Sequence, residues 1–283
     1  QEKDVHLFSF ITAVLFFIYA SHSEAVFWIL GRSAMLGALF SMLFMICWLK
    51  KESSSNFTAA YIFFLLLALS SYESSWVLPA IVATLAILKK EKWKHVVAVI
   101  SVFAAYMLVR FYFIHEVAGE YEASKFLSGD IAALAKNFII LLLRTVLPGF
   151  ENTVLLIISV LLIAAFAFLY FTGKAKWLSI LLKFFLLLNC VQVASLGVSS
   201  NGTEGERFLY LPSVIVCIML VNIIALSDKK KMFRFFLLFA FAVIQLSVLF
   251  INADNYTLAG NVCRLTLEQI QQVKNKSTIY ISG

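Results

Sequence analysis

The segment FRFFLLFAFAVIQLSVLFIN, residues 233–252, contains one arginine and no acidic residue, which is typical of a helix that crosses a lipid bilayer. The hydrocarbon core of a bilayer needs about 20 mainly apolar residues per helix. Apolar runs of similar character recur along the chain. The nine runs cover residues 7–20, 26–48, 57–71, 75–88, 96–114, 153–171, 177–197, 208–226 and 233–252. Because they are continuous rather than alternating, they exclude a membrane β-barrel and predict an all-α polytopic membrane protein.

The composition supports this class. Hydrophobic residues make up 62% of the chain and charged residues 14%, compared with roughly a quarter charged in a soluble domain. Four cysteines lack the spacing of metal ligands, and three of them lie inside apolar runs, so we interpret them as small apolar packing residues. The net charge of +7 says less than the positions of the charges do.

The connections between the runs fall into two groups by charge. Lys and Arg are concentrated in one group, the segments 50–52, 89–94, 173–176 and 228–234. Acidic residues occur in the other group, the segments 21–24, 71–75, 115–130 and 201–207. Since cytoplasmic loops carry the excess of basic residues, the second group is predicted to face outward, to a periplasm or a lumen.

One apolar stretch, residues 131–148, breaks the alternation of the two groups if it crosses the membrane. Every later basic loop would then move to the outer side. We therefore predict that this stretch is an amphipathic or re-entrant helix at the outer interface, with Lys136 and Arg144 near the lipid headgroups.

The C-terminal residues 253–283 differ from the rest of the chain. The segment TLAGNVCRLTLEQIQQVKNK has the pattern of an amphipathic helix, and STIYISG after it is strand-like. We expect a transmembrane domain over residues 1–252 and the start of an outward-facing soluble segment over residues 253–283.

The candidate functional residues all belong to segments predicted to face outward. Charged groups at the edge of a membrane bundle are costly, so each is a functional candidate. His22 and Glu24 lie at the end of a run and could share a proton, a sugar hydroxyl or a metal ion. The alternative for this cluster is a structural ion pair between Glu24 and Arg32.

The remaining candidates combine carboxylates with arginines. Glu73 lies in a short turn, where it is either functional or a solvated capping residue. Arg110 and Arg144 either bind phosphate or extend to the headgroups. Glu206 and Arg207 precede a helix, and either Arg207 binds an external anion or the two side chains pair. The chain has no P-loop, dinucleotide fingerprint or nucleic-acid-binding pattern, so no nucleic acid partner is expected.

Three segments resemble one family of membrane enzymes. ASHSEAVFWILGRSAMLGALF resembles the H-P-x-H-x-E-A-V-x-x-x-x-G-R-x-D-L pattern of the tetratricopeptide-linked transmembrane O-mannosyltransferases and their bacterial relatives. SYESSWVLPAIV resembles their S-K-E-x-x-x-x-x-P segment, and GERFLYLPS resembles their E-R-x-L-Y-L-P-S helix. Three positions depart from the pattern: Ala20 and Ser21 replace a proline, Ala34 replaces an aspartate, and Tyr72 replaces a lysine.

The resemblance implies a C-type (GT-C) glycosyltransferase fold and an inverting transfer of a sugar from a polyprenyl-phosphate donor. The acceptor is expected to be a protein Ser or Thr on the outer face of the membrane. The resemblance assigns catalytic roles to Glu24, His22 and Glu73, and donor-phosphate binding to Arg207, Arg32 and Tyr210, with Glu206 in support. We add Arg144 as a donor-phosphate ligand because arginine suits phosphate oxygens. A divalent metal is a possible cofactor. The catalytic base of this family is an Asp, which we expect upstream of residue 1 together with two further spans.

Other functions keep the same membrane fold. The acceptor could be a lipid-linked glycan, or the protein could be a lipid or glycan transporter, or a non-catalytic membrane subunit. The abundance of Phe, Ile and Lys favours a bacterial cytoplasmic membrane with the active face toward the periplasm, and the endoplasmic reticulum is the alternative.

Overall fold

The computed structural model describes residues 2–52, 54–90, 93–114, 131–149, 177–194, 205–225 and 231–273, together with positions 157, 158, 160, 161 and 164. Its regular elements in these residues are all helices. The α-helices are α1 (Glu2–Phe17), α2 (Ser23–Phe27), α3 (Arg32–Leu49), α4 (Ser55–Ser71), α5 (Leu78–Lys89), α6 (Lys94–Ile114), α7 (Ile131–Arg144), α8 (Trp177–Val193), α9 (Tyr210–Ala225) and α10 (Lys231–Val273). Short 3-10 helices cover Ala20–His22, Ile29–Gly31, Glu73–Val77 and Glu206–Leu209.

Three helical segments among the described residues are long and apolar enough to cross a membrane: Arg32–Leu49, Lys94–Phe113 and Phe235–Ile270. A fourth exists if Val5–Phe17 and Ala20–Phe27, which meet at a bend of 59°, count as one span. These helices fit an integral membrane protein, which agrees with the prediction at this coarser level.

The prediction of about nine spans is not met among the described residues. Eight of the nine apolar runs coincide with a helix, and the run 153–171 lies mostly outside the described residues. However, α4, α5, α8 and α9 have only 17, 12, 17 and 16 residues. At a rise of 1.5 Å per residue these helices are about 18–26 Å long, which is shorter than a bilayer core of about 30 Å. Turns and 3-10 segments take up residues that the apolar pattern assigned to spans.

The stretch predicted to lie at the interface forms helix α7, Ile131–Arg144. With 14 residues it is roughly 21 Å long and too short to cross the bilayer core alone. Lys136 is exposed, as expected near headgroups, but Arg144 is 3% exposed. The predicted position of Arg144 at the headgroups is therefore wrong, because a buried carboxylate partner holds this side chain inside the bundle.

Helix α10 passes through the boundary expected at residue 252 without interruption and ends at Val273. All described side chains from Thr257 to Ile270 are exposed. The strand-like segment 277–283 lies outside the described residues.

The largest apolar core lies between α3, α4, α5 and α6, around the buried side chains of Phe44, Trp48 and Tyr61. A second core joins α1, α9 and α10 through Leu15, Cys217 and Leu238. These cores hold the helices so that residues 20–24, 72–77, 144–147 and 205–209 meet at one end of the bundle, which we call the site end.

Candidate functional site

Glu24 and Arg207 form the centre of the site end. Oε1 of Glu24 accepts a hydrogen bond from Nη1 of Arg207 at 2.5 Å, and Oε2 accepts one from the main-chain N–H of Arg207 at 2.9 Å. The guanidinium carbon also lies 5.0 Å from the ring centres of Trp28 and Phe208. Because α2 supplies the carboxylate and the turn before α9 supplies the arginine, this contact joins segments that are 183 positions apart.

A second ion pair lies deeper. Nη2 of Arg144 donates to Oε1 of Glu206 at 2.7 Å, and both side chains are almost fully buried. Nη1 of Arg144 also donates to the carbonyl of Leu147. Burial raises the pKa of Glu206 to about 8, although the neighbouring Arg144 acts in the opposite direction. A desolvated pair of this kind is strongly disturbed when one partner is removed.

A third pair forms at the rim. Nη2 of Arg110 donates to Oε1 of Glu73 at 2.9 Å, and the Glu73 side chain is 38% exposed. This pairing replaces the two sequence-based interpretations in which Arg110 reaches for headgroups and Glu73 is solvated. Of the three paired carboxylates in the described site, Glu73 is the most accessible to an incoming molecule.

Tyr72 connects the rim pair to the central pair. Its phenol interacts electrostatically with Arg207, Glu73 and Glu24, and its ring stacks on Phe208 with 6.1 Å between ring centres. The Tyr72 phenol therefore links Glu24, Glu73 and Arg207 into one side-chain cluster at the site end. The structure thus brings these three predicted site residues together.

Two glycines allow this arrangement. A Cβ atom on Gly31 would lie 2.5 Å from the carbonyl oxygen of Glu24 and 2.9 Å from Cα of Ala25, so only glycine lets the two backbones approach. Gly205 adopts a φ of 80°, which L-amino acids with side chains rarely adopt, immediately before Glu206.

His22 and Tyr210 are placed differently from the prediction. Nε2 of His22 lies 2.7 Å from Oγ of Ser213, and the His22 ring packs 4.1 Å from the Tyr210 ring and 4.5 Å from the Phe16 ring. His22 is thus part of an aromatic cluster between α1 and α9, whereas the Glu24 side chain binds Arg207.

Arg32 is exposed at the start of α3, and Glu24 pairs with Arg207 rather than with Arg32. The alternative Glu24–Arg32 pair is therefore not formed, because Glu24 binds the guanidinium and the main-chain N–H of Arg207 instead.

The sequence analysis missed polar residues that support the site from the neighbouring helices. Gln245 of α10 is buried, its Oε1 accepts from the N–H of Ala20, and its Nε2 donates to the carbonyl of Val146. Asn252 donates to Oγ of Ser23 at 2.8 Å. The sequence could have pointed to Gln245 and Asn252, because both lie inside an apolar run, where burying a polar side chain costs free energy.

An apolar cavity of about 410 Å³ lies between α3, α5, α8 and α9. Leu78, Asn189 and Leu211 line the end nearest the site, and Leu49 and Lys89 line the far end. Oγ of Ser41, also on the wall, lies 3.1 Å from Oγ of Ser75, which belongs to the same turn as Tyr72. The Ser41–Ser75 contact therefore connects the cavity wall to the turn that carries Tyr72 and Glu73.

The described residues include no group of three or more His, Cys, Asp or Glu side chains that could hold a metal ion. The carboxylates at the site end do not fit a metal site, because Glu24, Glu73 and Glu206 are each bound to an arginine. The divalent metal that the resemblance allowed as a cofactor thus has no matching set of ligands in the part of the chain that the structure describes.

Comparison with known proteins finds no matching family model, no similar curated protein and no similar solved structure.

Proposed function

We propose that this chain is the membrane part of a glycosyltransferase that takes its sugar from a polyprenyl-phosphate donor. The observation that carries the proposal is that Glu24, Tyr72, Glu73 and Arg207 form one polar cluster, and that the turn with Tyr72 and Glu73 contacts the wall of an apolar cavity. A polyprenyl-phosphate sugar has the matching chemistry, since it joins an apolar chain to an anion and a polar headgroup.

Arg207 is the proposed ligand of the donor phosphate. A guanidinium group has five N–H donors and binds oxyanions through paired hydrogen bonds, so it can bind a carboxylate and a phosphate at the same time. Glu24 fixes the guanidinium through its two contacts and is in this proposal a positioning residue.

Arg144 is proposed to add positive charge below the phosphate. Burial raises the pKa of the Glu206 carboxyl, which disfavours its charged form, so this partner offsets the charge of Arg144 less than a solvated carboxylate would. This charge favours the binding of an anion and stabilises the polyprenyl phosphate as it leaves.

In the proposed reaction, the oxygen of an acceptor hydroxyl attacks the anomeric carbon of the sugar. The bond from that carbon to the phosphate oxygen breaks, the acceptor proton passes to a carboxylate base, and polyprenyl phosphate leaves. Glu73, the most accessible of the three carboxylates, faces the side from which we expect the acceptor, a protein Ser or Thr. The proposed location is the outer face of a bacterial cytoplasmic membrane.

The proposal is tested with the purified protein in lipid nanodiscs, a radiolabelled polyprenyl-phosphate hexose and Ser/Thr peptides. Transfer of label to peptide is expected, and Arg207→Ala is expected to lower it at least about a hundredfold. Arg264→Ala is the matched control, because Arg264 lies on the exposed part of α10, with 69% of its side chain accessible. Transfer that is unchanged by Arg207→Ala would rule out this assignment.

The charge balance of the site favours a second candidate, a non-catalytic membrane subunit. Three carboxylates match three guanidinium groups in the described site, which is the arrangement of ion pairs that only join helices. For such a subunit, the same assay gives neither transfer nor binding of the labelled donor. Movement of the donor across the bilayer without transfer would identify a transporter instead.

A further inference from the structure

Two side-chain amides on α8 make a hydrogen bond through the NH₂ group but none through the oxygen among the described residues. Nδ2 of Asn189 donates to the carbonyl of Phe185 at 2.8 Å, and Nε2 of Gln192 donates to the carbonyl of Glu73. The oxygens of both amides, Oδ1 and Oε1, are buried and have no hydrogen-bond partner within the described part of the chain. Buried oxygens without a partner are uncommon and call for an explanation.

The position of the two oxygens suggests what they bind. Residues three apart on a helix lie on the same face, about 5–6 Å apart. Asn189 is 2% exposed and lines the end of the apolar cavity nearest the site, and Gln192 contacts the Glu73 turn. Tyr72, which interacts with Arg207, also packs against the apolar cluster to which Cys190 and Val193 of the same helix belong. The two oxygens thus border the proposed phosphate site.

The chemistry of this pair differs from that of Arg207. Each NH₂ group donates one of its two hydrogens to a main-chain carbonyl, whereas each amide oxygen, which can only accept a hydrogen bond, has no partner among the described residues. A phosphate diester has no hydrogen to donate to these two oxygens. A sugar hydroxyl is a donor and fits.

We propose that Asn189 and Gln192 form a hydroxyl-binding subsite for the sugar headgroup of the lipid donor. This inference rests on the proposed function and adds a specificity to it: the site distinguishes polyprenyl-phosphate hexose from polyprenyl phosphate. Loss of a hydroxyl partner leaves a buried acceptor unpaired, which is how polar pockets reject ligands that lack the matching group.

The test compares two radiolabelled probes in filter binding to nanodisc-embedded protein: polyprenyl phosphate and polyprenyl-phosphate hexose. Asn189→Leu and Gln192→Met are each expected to weaken binding of the hexose lipid about tenfold and to leave the bare lipid unchanged. Asn189→Thr is expected to restore hexose binding, because its hydroxyl can donate to the Phe185 carbonyl and still offer an oxygen. Leu187→Ala, at an exposed position of α8, is the matched control.

The binding of the two lipids to the variants tests the subsite and the phosphate site separately. Equal weakening of both lipids, or no weakening of either, overturns the subsite. If Asn189→Leu fails to fold, the test uses Asn189→Thr and Gln192→Glu, which both keep an acceptor oxygen. Loss of the preference for the hexose lipid in both variants would refute the hydroxyl-binding subsite. Arg207→Ala separately weakens both lipids if the proposed phosphate site is correct. A hexose-specific loss in the α8 variants without an effect of Arg207→Ala would reject the phosphate site alone, and no binding of either lipid rejects both proposals.

Discussion

The carboxylate of Glu24 binds Arg207 through both of its oxygens, one to the guanidinium and one to the main-chain N–H. The second contact fixes the backbone of the turn before α9, so the pair orients the segment as well as the side chain. An arginine held in this way is poorly replaced by lysine, whose ammonium group lacks the planar fork.

Arg207→Lys is therefore expected to weaken binding of polyprenyl phosphate although the positive charge is kept. We expect a loss of roughly tenfold to a hundredfold, since a paired guanidinium contact becomes a single one. Filter binding of the labelled lipid measures it, and Arg264→Lys on the exposed part of α10 is the control. Wild-type affinity in Arg207→Lys would show that charge alone is sufficient.

Gly31→Ala is expected to destabilise the site end. The added methyl group would lie 2.5 Å from the Glu24 carbonyl oxygen, and backbone atoms cannot move aside as a flexible side chain can. The expected loss of stability is about 1–3 kcal/mol, as for other overpacked positions, together with a displaced Glu24. The melting temperature of the detergent-solubilised protein measures this.

Gly260→Ala is the control for that substitution. No atom lies within 4 Å of the position its methyl group would take, and Gly260 is in the exposed part of α10. Alanine there is expected to stabilise the helix by up to about 1 kcal/mol. Equal melting temperatures for the two glycine variants would mean that the close approach at Gly31 has no energetic consequence.

The helical class and the charged clusters were predictable because they depend on local properties. Apolar runs such as 233–252 specify helices in lipid, and residues such as Glu24 and Arg207 are unusual enough at the edge of a bundle to be noticed. The sorting of loops by charge also predicted which segments meet, since Glu24, Glu73 and Glu206 all lie at one end.

Which groups pair was not predictable, because pairing depends on the three-dimensional approach of distant segments. Arg144 could extend to the headgroups by its position in an amphipathic helix, yet Glu206 binds it 62 positions away. Glu24 has Arg32 nearby in sequence but binds Arg207 instead. The predicted helix lengths were wrong for a related reason, because a continuous apolar run does not show where a 3-10 turn such as Glu73–Val77 begins.

Gln245→Leu is expected to separate the two segments that carry Glu24 and Arg144. Gln245 binds the N–H of Ala20 at 2.9 Å and the carbonyl of Val146 at 3.2 Å, so its loss leaves two main-chain groups without their partner. The expected cost is about 1–3 kcal/mol per unpaired group. Thermal unfolding measures it.

Ser247→Ala, two positions along α10, serves as the control for Gln245→Leu. Its exposed hydroxyl bonds only the carbonyl of Val243 within the same helix, so a change below about 0.5 kcal/mol is expected. If Gln245→Leu melted at the wild-type temperature, Gln245 would have no role in holding the two segments together.

The stability of the protein is expected to fall as the pH rises, through Glu206. Burial raises the pKa of this carboxyl from 4.5 to about 8, so the folded protein binds a proton more tightly than the unfolded chain does. The contribution of Glu206 protonation to the free energy of unfolding is fully present below pH 4.5 and is lost between pH 4.5 and about 8. Melting temperatures measured across this interval should therefore decrease with increasing pH. Glu206→Gln keeps an oxygen for Arg144 but cannot titrate, so its melting temperature should vary less with pH. The same slope in both proteins would assign the pH dependence to another group.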